Sequence, residues 1–204
     1  MNIQRLKAAE REFLEQYPKG FNSPEMQEIG KKHKMDKMVA FAQEHFAPEK
    51  FMRLDLVVAK MIEMVNKSSM VSLFEKPKYR DYVKSLDPGQ QEFLAMGLKE
   101  FLHGKQESGF NMMVEILSEV KLAKWTLITV FGVYYYPHDE IFVKPTTTKN
   151  VINIFELEDV IYKPLPSYSF YKKYREHILA MKKQVDKNLS PNNAAFTGFL
   201  MFSM

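Results

Sequence analysis

The stretch Lys124–Lys149, KWTLITVFGVYYYPHDEIFVKPTTTK, decides the fold class. It holds the only Trp of the 204-residue chain, an uncharged run from Trp125 to Pro137 and a Tyr triplet. The β-branched residues Thr126, Ile128, Thr129, Val130 and Val133 suit a buried strand. A helix apolar on every side would read the same way, because no periodicity separates the two. The segment follows directly on a helical pattern, so helix is the preferred reading and strand stays open. Pro137 ends it in either case.

Upstream, residues 1–122 read as a succession of short amphipathic helices. Phe51, Leu54, Val58, Met61, Ile62 and Val65 make one apolar helical stripe, and Phe93, Leu94, Leu98, Phe101 and Leu102 another. Asp87-Pro88-Gly89-Gln90 has the residues of a capping box, and Gly104 suits the end of that helix. Lys105–Gly109 reads as a polar loop. Pro77 is expected to separate two helical pieces, Met70–Phe74 and Tyr79–Leu86.

Downstream, Glu140–Lys144 and Asp159–Lys163 read as short strands flanking a helix over Thr146–Leu157. Ser167 is placed to cap a long helix reaching Lys187, and Ser190-Pro191 to start an apolar final helix over Asn192–Ser203. The expected fold is mainly α, a compact multi-helix array with a small β element in the C-terminal part. Residues 1–120 form the N-terminal array. Residues 121–204 pack against it through the final helix, with one single domain as the alternative.

Composition narrows the function classes. At 46% apolar and 13% aromatic residues the chain buries a core. Absence of Cys excludes disulfides and thiolate chemistry, and fits a reducing compartment. There is no apolar signal region near Met1, and Trp125–Pro137 is shorter than the roughly 20 apolar residues of a membrane span. A cytoplasmic protein without membrane attachment is expected. The net charge of +4 is compatible with nucleic acid.

Three constellations carry chemistry. In Lys144-Pro145-Thr146-Thr147-Thr148-Lys149, a helix starting within the Thr run would offer free N–H groups, hydroxyls and two ammonium groups to a phosphate. An ordinary Thr cap with two solvated lysines is the plainer reading, since capping alone explains Thr at such positions. His138-Asp139-Glu140 is a candidate acid/base group, against the plainer reading of a polar turn. Lys172, Lys173, Arg175, Lys182 and Lys183 form a basic helix face that could meet phosphates or stay solvated. Trp125 and Tyr134–Tyr136 could stack on bases, although such clusters are more often core. His spacing gives no zinc motif, so no metal or cofactor is expected.

These elements also carry a resemblance. The chain resembles a family of uncharacterised bacterial proteins through FNSPEM (21–26), KWTLITVF (124–131), FVKPTTTK (142–149), PSYSFYKKY (166–174) and SPNNAAFTGFLM (190–201). A more distant bacterial set shares the K-W, F-x-K-P-T-x-T-K and P-x-W/Y-x-x-Y elements. The resemblance spans most of the chain and implies a conventional cytoplasmic bacterial protein. It implies no activity and transfers no catalytic residue.

The leading expectation is a non-enzymatic binding module for a phosphate-bearing partner, nucleic acid above all. An enzyme using His138 with Asp139 or Glu140 is the alternative, and a protein–protein interaction or structural role the third. Whether the chain forms a homo-oligomer is open.

Overall fold

The computed structural model describes residues 1–202. Eleven α-helices occur among them: α1 (Ile3–Gln16), α2 (Pro24–His33), α3 (Met35–His45), α4 (Leu54–Lys67), α5 (Glu75–Ser85), α6 (Pro88–His103), α7 (Gln106–Ser118), α8 (Trp125–Tyr135), α9 (Pro145–Ile154), α10 (Tyr168–Lys182) and α11 (Asn193–Phe202). Short 3₁₀ turns cover Gly20–Asn22, Pro48–Met52 and Lys187–Leu189. The expected end of the last helix at Ser203 lies outside the described residues.

The Trp125–Tyr135 segment is the central helix. Every residue from Trp125 to Tyr134 is buried. A helix closes its own backbone hydrogen bonds and can therefore be apolar all round, whereas a strand here would need neighbours on both edges. Other elements tend its two ends. At the start, Thr126 Oγ1 donates to Glu75 Oε2 at 2.9 Å, which sets an acid from α5 beside the positive end of α8. At the finish, Gln43 Nε2 donates to the Tyr135 carbonyl at 3.1 Å. Helices α3, α4, α6 and α7 pack around it.

Helices α6 and α7 form a tight hairpin. An added Cβ at Gly109 would lie 2.1 Å from the Phe101 amide nitrogen and 2.4 Å from the Gly97 carbonyl oxygen. Only glycine permits that approach. Asp87 and Gln90 make the expected capping box, with Gln90 N–H donating to Asp87 Oδ1 at 2.9 Å.

Several sequence expectations are corrected. No β-strand occurs among the described residues, so the small β element is not present. Glu140–Lys144 is extended but runs alongside α8, where the Val143 N–H donates to Thr129 Oγ1 at 3.0 Å. In Asp159–Lys163, the Lys163 carbonyl accepts from Trp125 Nε1 at 2.8 Å. Backbone groups that would pair in a ladder are satisfied by side chains of α8 instead. Pro77 does not divide a helix. It is the third residue of α5, inside the first turn, where a missing N–H costs no intrahelical bond. Lys105–Gly109 is not a loop, because α7 begins at Gln106. Ser190-Pro191 does not start α11. Asn192 does, its Oδ1 accepting from Ala195 N–H at 2.8 Å.

The ends of the chain meet. Asn2 N–H donates to the Phe155 carbonyl at 2.7 Å and Arg5 Nη1 to the Ile154 carbonyl at 2.9 Å, so α1 covers the end of α9. The Phe13 ring meets Phe199 of α11 edge-on at 5.4 Å. No helix among the described residues is long and apolar enough to cross a membrane.

Candidate functional site

The best-assembled polar cluster centres on Glu140, which is 5% exposed. The turn after α8 brings it inward, with the Asp139 and Glu140 N–H groups both donating to the Tyr136 carbonyl. Its Oε1 accepts from Gln106 Nε2 at 2.8 Å and from Arg175 Nη1, and its Oε2 accepts from the Tyr171 hydroxyl. Asn193 Nδ2 of α11 donates to its carbonyl at 2.8 Å. Gln106 is held as firmly: its Oε1 accepts from Arg175 Nη1 at 2.9 Å and from the Tyr168 hydroxyl at 3.0 Å. The Glu140 carboxylate thus ties α7 and α10, and its backbone carbonyl ties α11, to the end of α8.

The electrostatics follow from burial. Desolvation works against the Arg175 charge, but Glu140, Tyr171 and Tyr168 together outweigh it and the guanidinium is held above its usual pKa. Tyr171 is pushed well up, by burial first and by the neighbouring Glu140 charge second. Its hydroxyl therefore stays a donor, and the guanidinium lies over its ring, 5.4 Å from the centroid. Every partner here is spent on another member of the cluster. Its evident role is to fix the relative positions of the helices it joins.

The His138-Asp139-Glu140 group is not brought together. His138 and Asp139 are exposed on the turn while Glu140 points into the protein. Adjacent residues in a turn face different directions, and only the third reaches the interior.

The Lys-Pro-Thr-Thr-Thr-Lys turn is also divided. Helix α9 starts at Pro145, with Lys144 at the preceding position and no side-chain cap. Thr147 and Thr148 are buried, and the Thr148 hydroxyl bonds that of Tyr174. Thr146, Lys144 and Lys149 remain on the surface. The Lys149 ammonium sits 5.2 Å from the centroid of the half-buried Tyr162 ring.

The basic face of α10 splits as well. Arg175 turns to Glu140. Lys182 Nζ donates to Asn193 Oδ1 at 2.7 Å, and burial lowers its pKa against the opposing pull of Asp139. Lys172, Lys173 and Lys183 stay exposed. Trp125 and Tyr134 are core, with 1% and 0% exposure, and offer no stacking surface.

Charge is spread unevenly along the chain. Residues 1–120 carry 18 basic and 18 acidic side chains, and 121–204 carry 11 and 7, so the whole net charge of +4 belongs to the second part. No lysine of 121–204 makes an ion pair among the described residues. Two of its lysines are drawn to one place by the aromatic packing around Trp125. The Trp125 indole holds the Lys163 carbonyl, its ring lies 6.4 Å from Tyr162, and Lys149 covers Tyr162.

Sequence reasoning missed Gln106, Tyr168, Tyr171 and Lys163. Gln106 was hidden in an apparent loop, Tyr171 in an apolar stripe, and nothing local marks any of them. Comparison of the chain with protein-family models, curated protein sequences and solved structures returns no match.

Proposed function

We propose that the protein is a non-enzymatic binding module for a phosphate-bearing partner, met by the exposed lysines of residues 121–204. One observation carries this reading: all of the net charge lies in that part, on lysines that no internal carboxylate neutralises. Unneutralised ammonium groups on one region attract polyanions and release their counterions. Lys144, Thr146 and Lys149 keep their place in the proposed contact, with Lys149 over the Tyr162 ring, and the exposed Lys163 follows Tyr162 in the chain. Thr147 and Thr148 are left to the core. A His138-based acid/base site has less support, since its members face different ways.

The test is fluorescence anisotropy of labelled DNA and RNA over a salt series, with wild type and a Lys144→Ala/Lys149→Ala variant. The expected result is a log–log salt dependence that is linear, with weaker binding and a slope reduced by about 1.4–1.8 in the variant, at roughly 0.7–0.9 per phosphate contact. An unchanged slope would move the contact elsewhere, and absence of binding at low salt would end the proposal.

A further inference from the structure

The geometry points to a single-stranded nucleic acid as the phosphate-bearing partner, laid across the first half of α10 with bases stacked on Tyr162 and Tyr168. This rests on the phosphate-binding reading and adds the strandedness, the path and the stacking residues.

Two half-buried tyrosines bracket the Lys163–Ser167 link, and each stands among free ammonium groups. Tyr162 lies under Lys149 and next to Lys163. Tyr168 lines an open depression of about 590 Å³ together with Lys105, Gln106, Asn111 and Lys172. Lys172 and Lys173, both exposed, carry positive charge on the first half of α10. Acidic groups also lie on these segments: Glu107 lines the depression, Glu100 Oε2 accepts from the Lys105 N–H at 2.8 Å, Asp159 is taken by His177 at 2.6 Å, and Glu158 and Glu176 are exposed.

Both rings stand on rigid supports. Tyr168 meets Phe110 at 5.8 Å, Phe110 meets Trp125 at 6.1 Å and Trp125 meets Tyr162 at 6.4 Å, so the two tyrosines lie at most about 18 Å apart. At about 3.4 Å per stacked nucleotide, that is a path of at most about five nucleotides. The Tyr168 hydroxyl is also pinned by Gln106, which Glu140 and Arg175 hold in turn. A positive track with fixed aromatic faces suits unpaired bases. A duplex hides its base faces and can use only the lysines.

The experiment compares a labelled oligothymidylate of about 12 nucleotides, a length within the common single-strand site range, with a duplex of equal length and with inorganic tripolyphosphate as competitor. The expected result is tighter binding of the single strand than of the duplex. Tyr162→Leu and Tyr168→Leu should each weaken it by about 5- to 150-fold, and Tyr162→Phe and Tyr168→Phe should leave it nearly unchanged. A Lys105→Ala/Lys172→Ala variant should reduce the salt slope by about 1.4. Circular dichroism on each variant separates lost binding from lost folding. Equal affinity for duplex and single strand, or full competition by tripolyphosphate with no effect of the Leu variants, would overturn the stacking inference while leaving the phosphate reading in place. No binding of any of the three would overturn both.

Discussion

The two parts of the chain handle charge in opposite ways. In residues 1–120 acids and bases balance, and six ion pairs lie wholly within that stretch, most of them a turn apart on one helix, as in Lys7–Glu10, Lys31–Glu28 and Lys60–Glu63. Each of these pairs keeps at least one partner a third or more exposed, and such pairs contribute little. In residues 121–204 the charges are unbalanced, and the closest pair, Arg175–Glu140, is inside, with side chains 18% and 7% exposed. The first part uses charge to dress its surface. The second uses its buried pair to join helices, and none of its lysines makes an ion pair among the described residues.

The sharpest way to break this contrast is at the interior pair. Arg175→Ala should destabilise the protein by about 3–5 kcal/mol, because it strands a buried carboxylate, and denaturant unfolding measures the loss. Replacing both partners, as Arg175→Met/Glu140→Met, should recover much of it. A loss no larger than that of a surface pair would erase the distinction between the two parts.

A smaller effect tests whether the first part depends on close packing where the second depends on a polar tie. Gly109→Ala places a methyl group against the Phe101 backbone, which cannot yield as a flexible side chain would. It should cost at least about 1–3 kcal/mol, in the range of overpacked cores, read as a lowered unfolding midpoint. No change would mean that the α6–α7 hairpin opens freely.

The smallest effect belongs to the surface pairs. Hydrogen bonds from Lys60 and Lys67 hold the Glu63 carboxyl down at about 2. Its folded pKa lies below the unfolded value, so the stability it adds is present above pH ~4.5 and fades as pH falls toward about 2. Exposure and salt discount that gain to about 0.2–1 kcal/mol. Glu63→Gln should lose it at neutral pH and lose nothing further in acid, which thermal unfolding over that range will show. A loss of several kcal/mol would place this pair with the interior one.

Much of the helical order was legible in local pattern. The stripes of α4 and α6 and the Asp87–Gln90 box work through residues close in sequence, so their spacing states the outcome. The strands at 140–144 and 159–163 were misread because β-branched, extended stretches carry no mark of what their backbone will bond. Thr129 and Trp125 supplied the partners, and both belong to another element. The candidate site divided the same way. Its lysines could be seen in the sequence, whereas Gln106, Glu140 and the α10 pair Tyr168 and Arg175 come from three separate parts of the chain and become one cluster only when α7, α10 and the turn after α8 converge.

By itself, then, the sequence determined a mainly helical chain with an all-apolar segment at its centre and a basic C-terminal part. Those properties depend on composition and short-range spacing. Tertiary structure decided that the central segment is a helix, that Thr147 and Thr148 serve the core, and that Glu140 faces Arg175. These outcomes depend on which distant groups share a buried space. A polar atom removed from water takes the partner that packing presents.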